Sequence, residues 1–132
     1  MSWFIDIGYF YPKLKNQKQI IVATRSRIAV ELGNGTVKSV YCHNDGYVSG
    51  VGRALEHMGF TSTEECEEYI DEGDRSTTSL SYKEWRDENC PPQKHKSKEE
   101  YFAGDIEEYG YLFTKDCEWV VKVYGDRHIA DL

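Results

Sequence analysis

No apolar run in this chain of 132 residues approaches the roughly 18 needed to cross a bilayer. Positive charge is in short supply too. Sixteen Lys and Arg stand against 23 Asp and Glu, a formal net charge of −7. A general nucleic-acid binder draws its affinity from Lys and Arg on phosphates, so this balance argues against that class. It leaves room for a small basic pocket inside an acidic shell, or for a protein that imitates nucleic acid. Cysteine is limited to Cys42, Cys66, Cys90 and Cys117, with no C-x-x-C pair and no zinc-finger spacing against His. No metal site is expected. The first residues hold Asp6 inside their only apolar stretch and lack a leading basic region, unlike a signal peptide. Four reduced thiols in a cytoplasmic protein are therefore the expectation. Also missing are the G-K-[ST] ending of a P-loop, the third glycine of a dinucleotide fingerprint and a G-x-S-x-G elbow. With no complete catalytic set and no cofactor motif, a binding role is expected rather than an enzyme.

What the chain does have is tyrosine. Ten Tyr lead an aromatic content of 14%. Each offers a large apolar body with one polar tip, suited to half-buried sheets and interfaces. The length fits one domain with its own core. Residues 1–22 crowd Trp3, Phe4, Ile5, Ile7, Tyr9, Phe10 and Tyr11 ahead of Pro12, which reads as an aromatic arm or edge strand. Such an arm could dock on a neighbouring subunit, so a homo-oligomer is expected. The remaining 23–132 read as a single domain.

Within that domain, 25–42 read as a β-hairpin. Ile28, Val30 and Leu32 alternate with Arg27, Ala29 and Glu31, and Gly33-Asn34-Gly35 supplies a tight turn. After a polar loop over 43–49, a short helix is predicted from Gly50 to Met58, closed by Gly59. A second helix starts near Thr61, where Thr61 with Glu64 and Ser62 with Glu65 fit a capping box. Residues 87–98 contain Pro91-Pro92 and read as an exposed loop, with His95 solvated. A second hairpin spans 107–124, followed by a tail. This order predicts an α+β domain: an antiparallel sheet built from hairpins, with two short helices packed on one face.

The densest cluster of chemically capable residues is Ser39–Arg53, SVYCHNDGYVSGVGR. A strand-to-helix junction aims backbone N–H groups and the positive end of the helix dipole at one spot, which favours an anion. Here Gly50 and Gly52 would let a phosphate approach, Ser49 would cap the helix and Arg53 would clamp the charge. Arg25 and Arg27 project from one face of the first strand and could grip phosphate in the same way. Tyr41 and Tyr47, with Tyr109 and Tyr111 from the second hairpin, could stack on a base. His43 and Asp45, two residues apart in a loop, could be a base and its orienter or metal ligands, but no third ligand is evident, and a loop held by their hydrogen bonds is the plainer reading. The predicted ligand-binding set is therefore Arg25, Arg27, Tyr41, His43, Asp45, Tyr47, Ser49, Gly50, Gly52 and Arg53.

The runs Thr24–Leu32, Gly35–His43, Asp45-Gly46-Tyr47 and Gly50-Val51-Gly52, with Glu107–Phe113 and Trp119 further on, resemble a family of small, mostly uncharacterised accessory proteins of tailed bacteriophages. The likeness spans about 23–124. The chain departs from that pattern at Asn44, where the family carries Trp, and at Val48, where it carries Pro. The resemblance implies a phage accessory protein acting in the host cytoplasm against host defences. By analogy with sponges, the expected function is to bind and sequester a small anionic ligand, with a nucleotide immune signal as the candidate. The alternative is an acidic protein–protein inhibitor of a host defence effector, such as a nuclease or CRISPR complex. No membrane partner is expected.

Overall fold

Strand β1, Ser26–Glu31, has neighbours on both edges and helices on both faces, and the fold is built around it. A computed structural model describes residues 23–132; the aromatic segment 1–22 lies outside the described residues. β1 pairs antiparallel with β2, Val37–Cys42, in the register Glu31 to Val37 through Ser26 to Cys42. The predicted hairpin turn is present: the Thr36 amide donates to the Asn34 carboxamide oxygen at 3.0 Å, and Gly35 adopts φ 88°. The chain then passes through a π-helical turn, Val48–Gly52, into α1, Arg53–Met58. Gly59 closes α1 in the left-handed region, φ 64°, as its lack of a Cβ allows. α2, Thr63–Ile70, is capped by Ser62, whose hydroxyl accepts from the Glu65 amide.

Beyond α2 run β3, Arg75–Thr77, β4, Leu80–Ser81, and α3, Tyr82–Arg86, which starts on a reciprocal Ser81–Glu84 capping box. β5, Gln93–His95, follows, then α4, Lys98–Ala103, and the second predicted hairpin, β6, Tyr109–Phe113, with β7, Trp119–Val123. The C-terminal residues form β8, Ile129–Asp131, where the sequence suggests a tail. One mostly antiparallel sheet runs β4-β3-β2-β1-β6-β7-β8, with β5 also on β2. The β1–β6 pairing is parallel and joins the two hairpins. This is the α+β fold expected from the sequence.

One face buries Ile28, Val30, Val40, Cys42, Tyr111 and Phe113 under α1 and α2, through Val51, Leu55, Cys66 and Ile70. These are the two helices the sequence places on one face. The opposite face carries a smaller core of Ala29, Val37 and Leu112 under Tyr101 and Phe102 of α4, and Ile106. β1 is therefore buried on both faces rather than half-buried. Its alternation is misleading because Ala29 is small enough to read as a solvent position yet takes the weight of α4.

Candidate functional site

Strand alternation decides which of the candidate residues meet. Arg27 sits opposite Tyr41 across β1 and β2, and both point away from the Ile28–Val40 core. The Arg27 guanidinium donates to Ser39 through Nε to Oγ at 3.1 Å and through Nη2 to the carbonyl at 3.3 Å. Tyr41 Oη and His43 Nδ1 share a hydrogen bond of 2.6 Å. Arg25, exposed over half its side chain, stands beside Tyr41 and pairs with Glu107 at 3.6 Å. Four members of the predicted set, Arg25, Arg27, Tyr41 and His43, thus occupy one sheet face beyond the ground covered by α4.

Other residues complete this face. Asp74 accepts from the Tyr41 amide at 2.9 Å. Its partial burial raises its pKa, against the pull of that N–H and of Arg27. Burial, then nearby Tyr82, raises the Tyr41 phenol, with Arg25 opposing. β5 delivers His95 to the same face, where Nε2 meets Ser39 Oγ at 2.8 Å and the ring stands edge-on to Tyr101. Burial, then Arg27, lowers the His95 pKa against the pull of Glu100, which favours the neutral imidazole. The residue read as solvated in an exposed loop is therefore a bound strand residue. Ser39 and His95 have the contact of a nucleophile and its base, but Ser39 is fully buried and already accepts from Arg27. The pair is a structural brace. Sequence reasoning missed Asp74, Tyr82, His95 and Glu107 because only tertiary pairing brings them here; Asp74 and Glu107 are local only in being acidic neighbours of loops.

The junction behaves differently from expectation. The Gly50 amide donates to the Tyr47 carbonyl at 2.9 Å and the Val51 amide to the Asp45 carbonyl at 2.8 Å. The Gly50 and Val51 peptide groups, which would face the anion, are spent on the protein's own backbone. Ser49 is not an N-cap; it lies inside the π-helical turn, and Gly52 occupies the cap position of α1 with no side-chain cap. α1 spans only 6 residues. A methyl on Gly50 would collide with the Asp45 carbonyl oxygen, and one on Gly46 would lie 2.9 Å from the Thr24 carbonyl oxygen. These glycines permit close packing. Gly52 packs against Leu132 and Tyr111. Arg53 points to solvent in an ion pair with Glu56.

A hollow of about 200 Å³ does lie beside this loop, lined by Asn44, Asp45, Tyr47, Gly50, Val51, Thr77 and Thr78. Tyr47 donates to the Asp45 carboxylate at 3.1 Å, and burial followed by that carboxylate raises its phenol. An acidic hollow of this kind repels phosphate. Tyr109 and Tyr111 stack on each other at 6.4 Å against the core under α1 and α2, so neither faces the Arg25–Tyr41 group. A larger cavity of about 500 Å³ opens where β2 meets β5, between Lys38, Lys94, His95, Lys96, Glu67 and Glu100. Lys38 is neutralised there by Glu67 at 2.8 Å and Asp71 at 2.7 Å. Among the described residues, no group of three or more His, Cys, Asp or Glu is arranged to hold a metal ion. No protein-family model, curated protein or solved structure matches the chain.

Proposed function

We propose that this protein is a binding protein, without catalysis, that takes up a small anionic, nucleotide-like ligand on the sheet face of Arg25, Arg27, Tyr41 and His43. One observation carries the reading: two guanidinium groups and two aromatic rings share that face, with the Tyr41 and His43 ring centroids 5.8 Å apart and tilted by 54°. Guanidinium forks match phosphate oxygens, and tilted rings offer a stacking ledge for a base. Relative to the sequence reading, the centre of the site moves from the glycine junction to the strands before it. The resemblance to phage accessory proteins supports sequestration of a nucleotide immune signal as the biological role. Titration calorimetry with cyclic ADP-ribose isomers and cyclic oligonucleotides tests it. Binding that Arg25→Ala weakens supports the proposal; no heat with any of these ligands counts decisively against it.

A second reading rests on α2. Its solvent side carries Glu64, Glu65 and Glu68, continued by Asp71 and Glu72, all exposed, and the helix contains no Lys or Arg. Such a surface fits an inhibitor of a basic protein partner, a nuclease or CRISPR effector of the host. A stoichiometric partner recovered from host lysate, released by salt and lost on Glu64→Lys with Glu68→Lys, would favour it over ligand binding.

A further inference from the structure

The outer edge of β2 is covered in two pieces, and the gap between them holds a carboxylate. β5 pairs with residues 37–39 of β2 and β3 joins at Cys42, so among the described residues no strand meets Tyr41 from that side. Asp74 fills the gap, where its Oδ1 accepts from the Tyr41 amide at 2.9 Å. Its own backbone is fixed on both sides. The Asp74 amide donates to the Cys90 carbonyl and the Asp74 carbonyl accepts from the Tyr82 amide, each at 2.9 Å. Mending the sheet edge takes one carboxylate oxygen. Among the described residues the other, Oδ2, receives no hydrogen bond, and no Lys or Arg forms an ion pair with Asp74.

A carboxylate so placed is a liability to a phosphate, which it repels. It makes sense when it meets a different part of the ligand. Carboxylate oxygens only accept, so that part must present N–H donors. Burial raises the Asp74 pKa, as befits a carboxylate short of donors. Among the common bases, guanine alone sets two donors side by side, a ring N–H and an exocyclic amine. Adenine and cytosine place a ring-nitrogen acceptor beside the amine, and uracil flanks its one ring N–H with two carbonyls. We infer, on the basis of the sheet-face site proposed above, that Asp74 reads the base of the ligand and selects a guanine nucleotide through that pair of donors. Tyr41 supplies the stacking ledge, and Arg25 and Arg27 take the phosphate.

Titration calorimetry of the full chain with the monophosphates of guanosine, inosine, xanthosine and adenosine tests the inference. The guanosine compound should bind roughly tenfold or more tightly than that of inosine, which lacks the amine, or of adenosine. Asp74→Asn keeps the side-chain shape. The Tyr41 amide holds the carboxamide oxygen at the Oδ1 position, so the new NH₂ takes the place of Oδ2. That variant should turn the preference towards xanthosine, whose carbonyl accepts where the amine of guanosine donates. A residue that only braced the sheet edge would leave base preference unmoved. Circular dichroism checks that the variant folds, and the guanosine-against-inosine comparison on the native chain needs no variant. Nucleotide binding without preference for guanosine would overturn the inference and leave the sheet-face site standing. So would a preference that Asp74→Asn leaves unchanged. No binding of any of the four would overturn both.

Discussion

Tyr111, on β6, donates its hydroxyl to the Gly46 carbonyl at 2.7 Å across 65 residues of chain, inside the core. The bond ties the loop after β2 to the C-terminal hairpin, and burial raises the Tyr111 phenol well above its ordinary value. Tyr111→Phe leaves the Gly46 carbonyl buried without that donor. The expected loss is about 1–3 kcal/mol in urea unfolding, with an unchanged m-value. A loss under about 0.5 kcal/mol would show that the carbonyl finds another donor.

The junction glycines give a second prediction. Gly50→Ala forces a methyl against the Asp45 carbonyl oxygen and is expected to cost about 1–3 kcal/mol by thermal or urea unfolding. Gly33→Ala has nothing within 4 Å of the added carbon and should change stability by no more than about 0.5 kcal/mol. If Gly50→Ala instead keeps full stability, the tight turn at Asp45 relaxes more readily than its hydrogen bonds imply.

Tyr41→Phe removes the hydroxyl that fixes His43. On the proposed sheet-face site, nucleotide affinity should fall several-fold while stability drops by about 0.5–1.5 kcal/mol. Arg25→Ala should lower affinity with little change in stability, because its contact with Glu107 is long and its own side chain is half exposed. Calorimetry paired with unfolding curves separates the two effects; a variant that loses stability yet binds normally would remove Tyr41 from the site.

Thiol chemistry offers a third check on the core. Cys117 is exposed and Cys90 half-buried, whereas Cys42 and Cys66 have no exposed surface. Burial pushes the Cys42 thiol up to about 11 and raises Cys66 further. A disulfide reagent at pH 8 should modify Cys117 and Cys90 on the folded protein and reach the other pair only after unfolding. The same burial sets a pH dependence. The unfolded thiol ionises near 9, so above that value the unfolded state holds fewer protons than the folded one and stability falls. For Cys42 the loss runs from about 9 through about 11, read as a declining unfolding midpoint whose slope Cys42→Ala reduces, the remainder coming from Cys66.

How much of this was legible depended on how local the signal was. Both hairpins could be read because period-two alternation and the Gly33-Asn34-Gly35 turn lie within a few residues. The Ser62 cap and the Gly59 stop were equally local. β5 could not be read: Gln93, Lys94 and His95 follow two prolines and carry no apolar alternation, and they become a strand only because the edge of β2 accepts them. β8 escaped for the same reason. The parallel match of Ser26–Val30 to Tyr109–Phe113 has no code in either segment. At the candidate site, alternation put Arg25 and Arg27 on one face, while the placing of Tyr41, His43, Asp74 and His95 beside them required the folded chain. The junction was misread because glycines before a helix look the same whether they receive a ligand or a neighbouring carbonyl.

The parallel seam between β1 and β6 also governs how the chain is made. During synthesis, β1 leaves the ribosome more than 80 residues ahead of the strand that seals its second edge. Until Tyr109–Phe113 emerge, that apolar rim stays open to stray pairing. A nascent chain stalled before Tyr109 should therefore recruit a holdase, and release should coincide with arrival of the last hairpin.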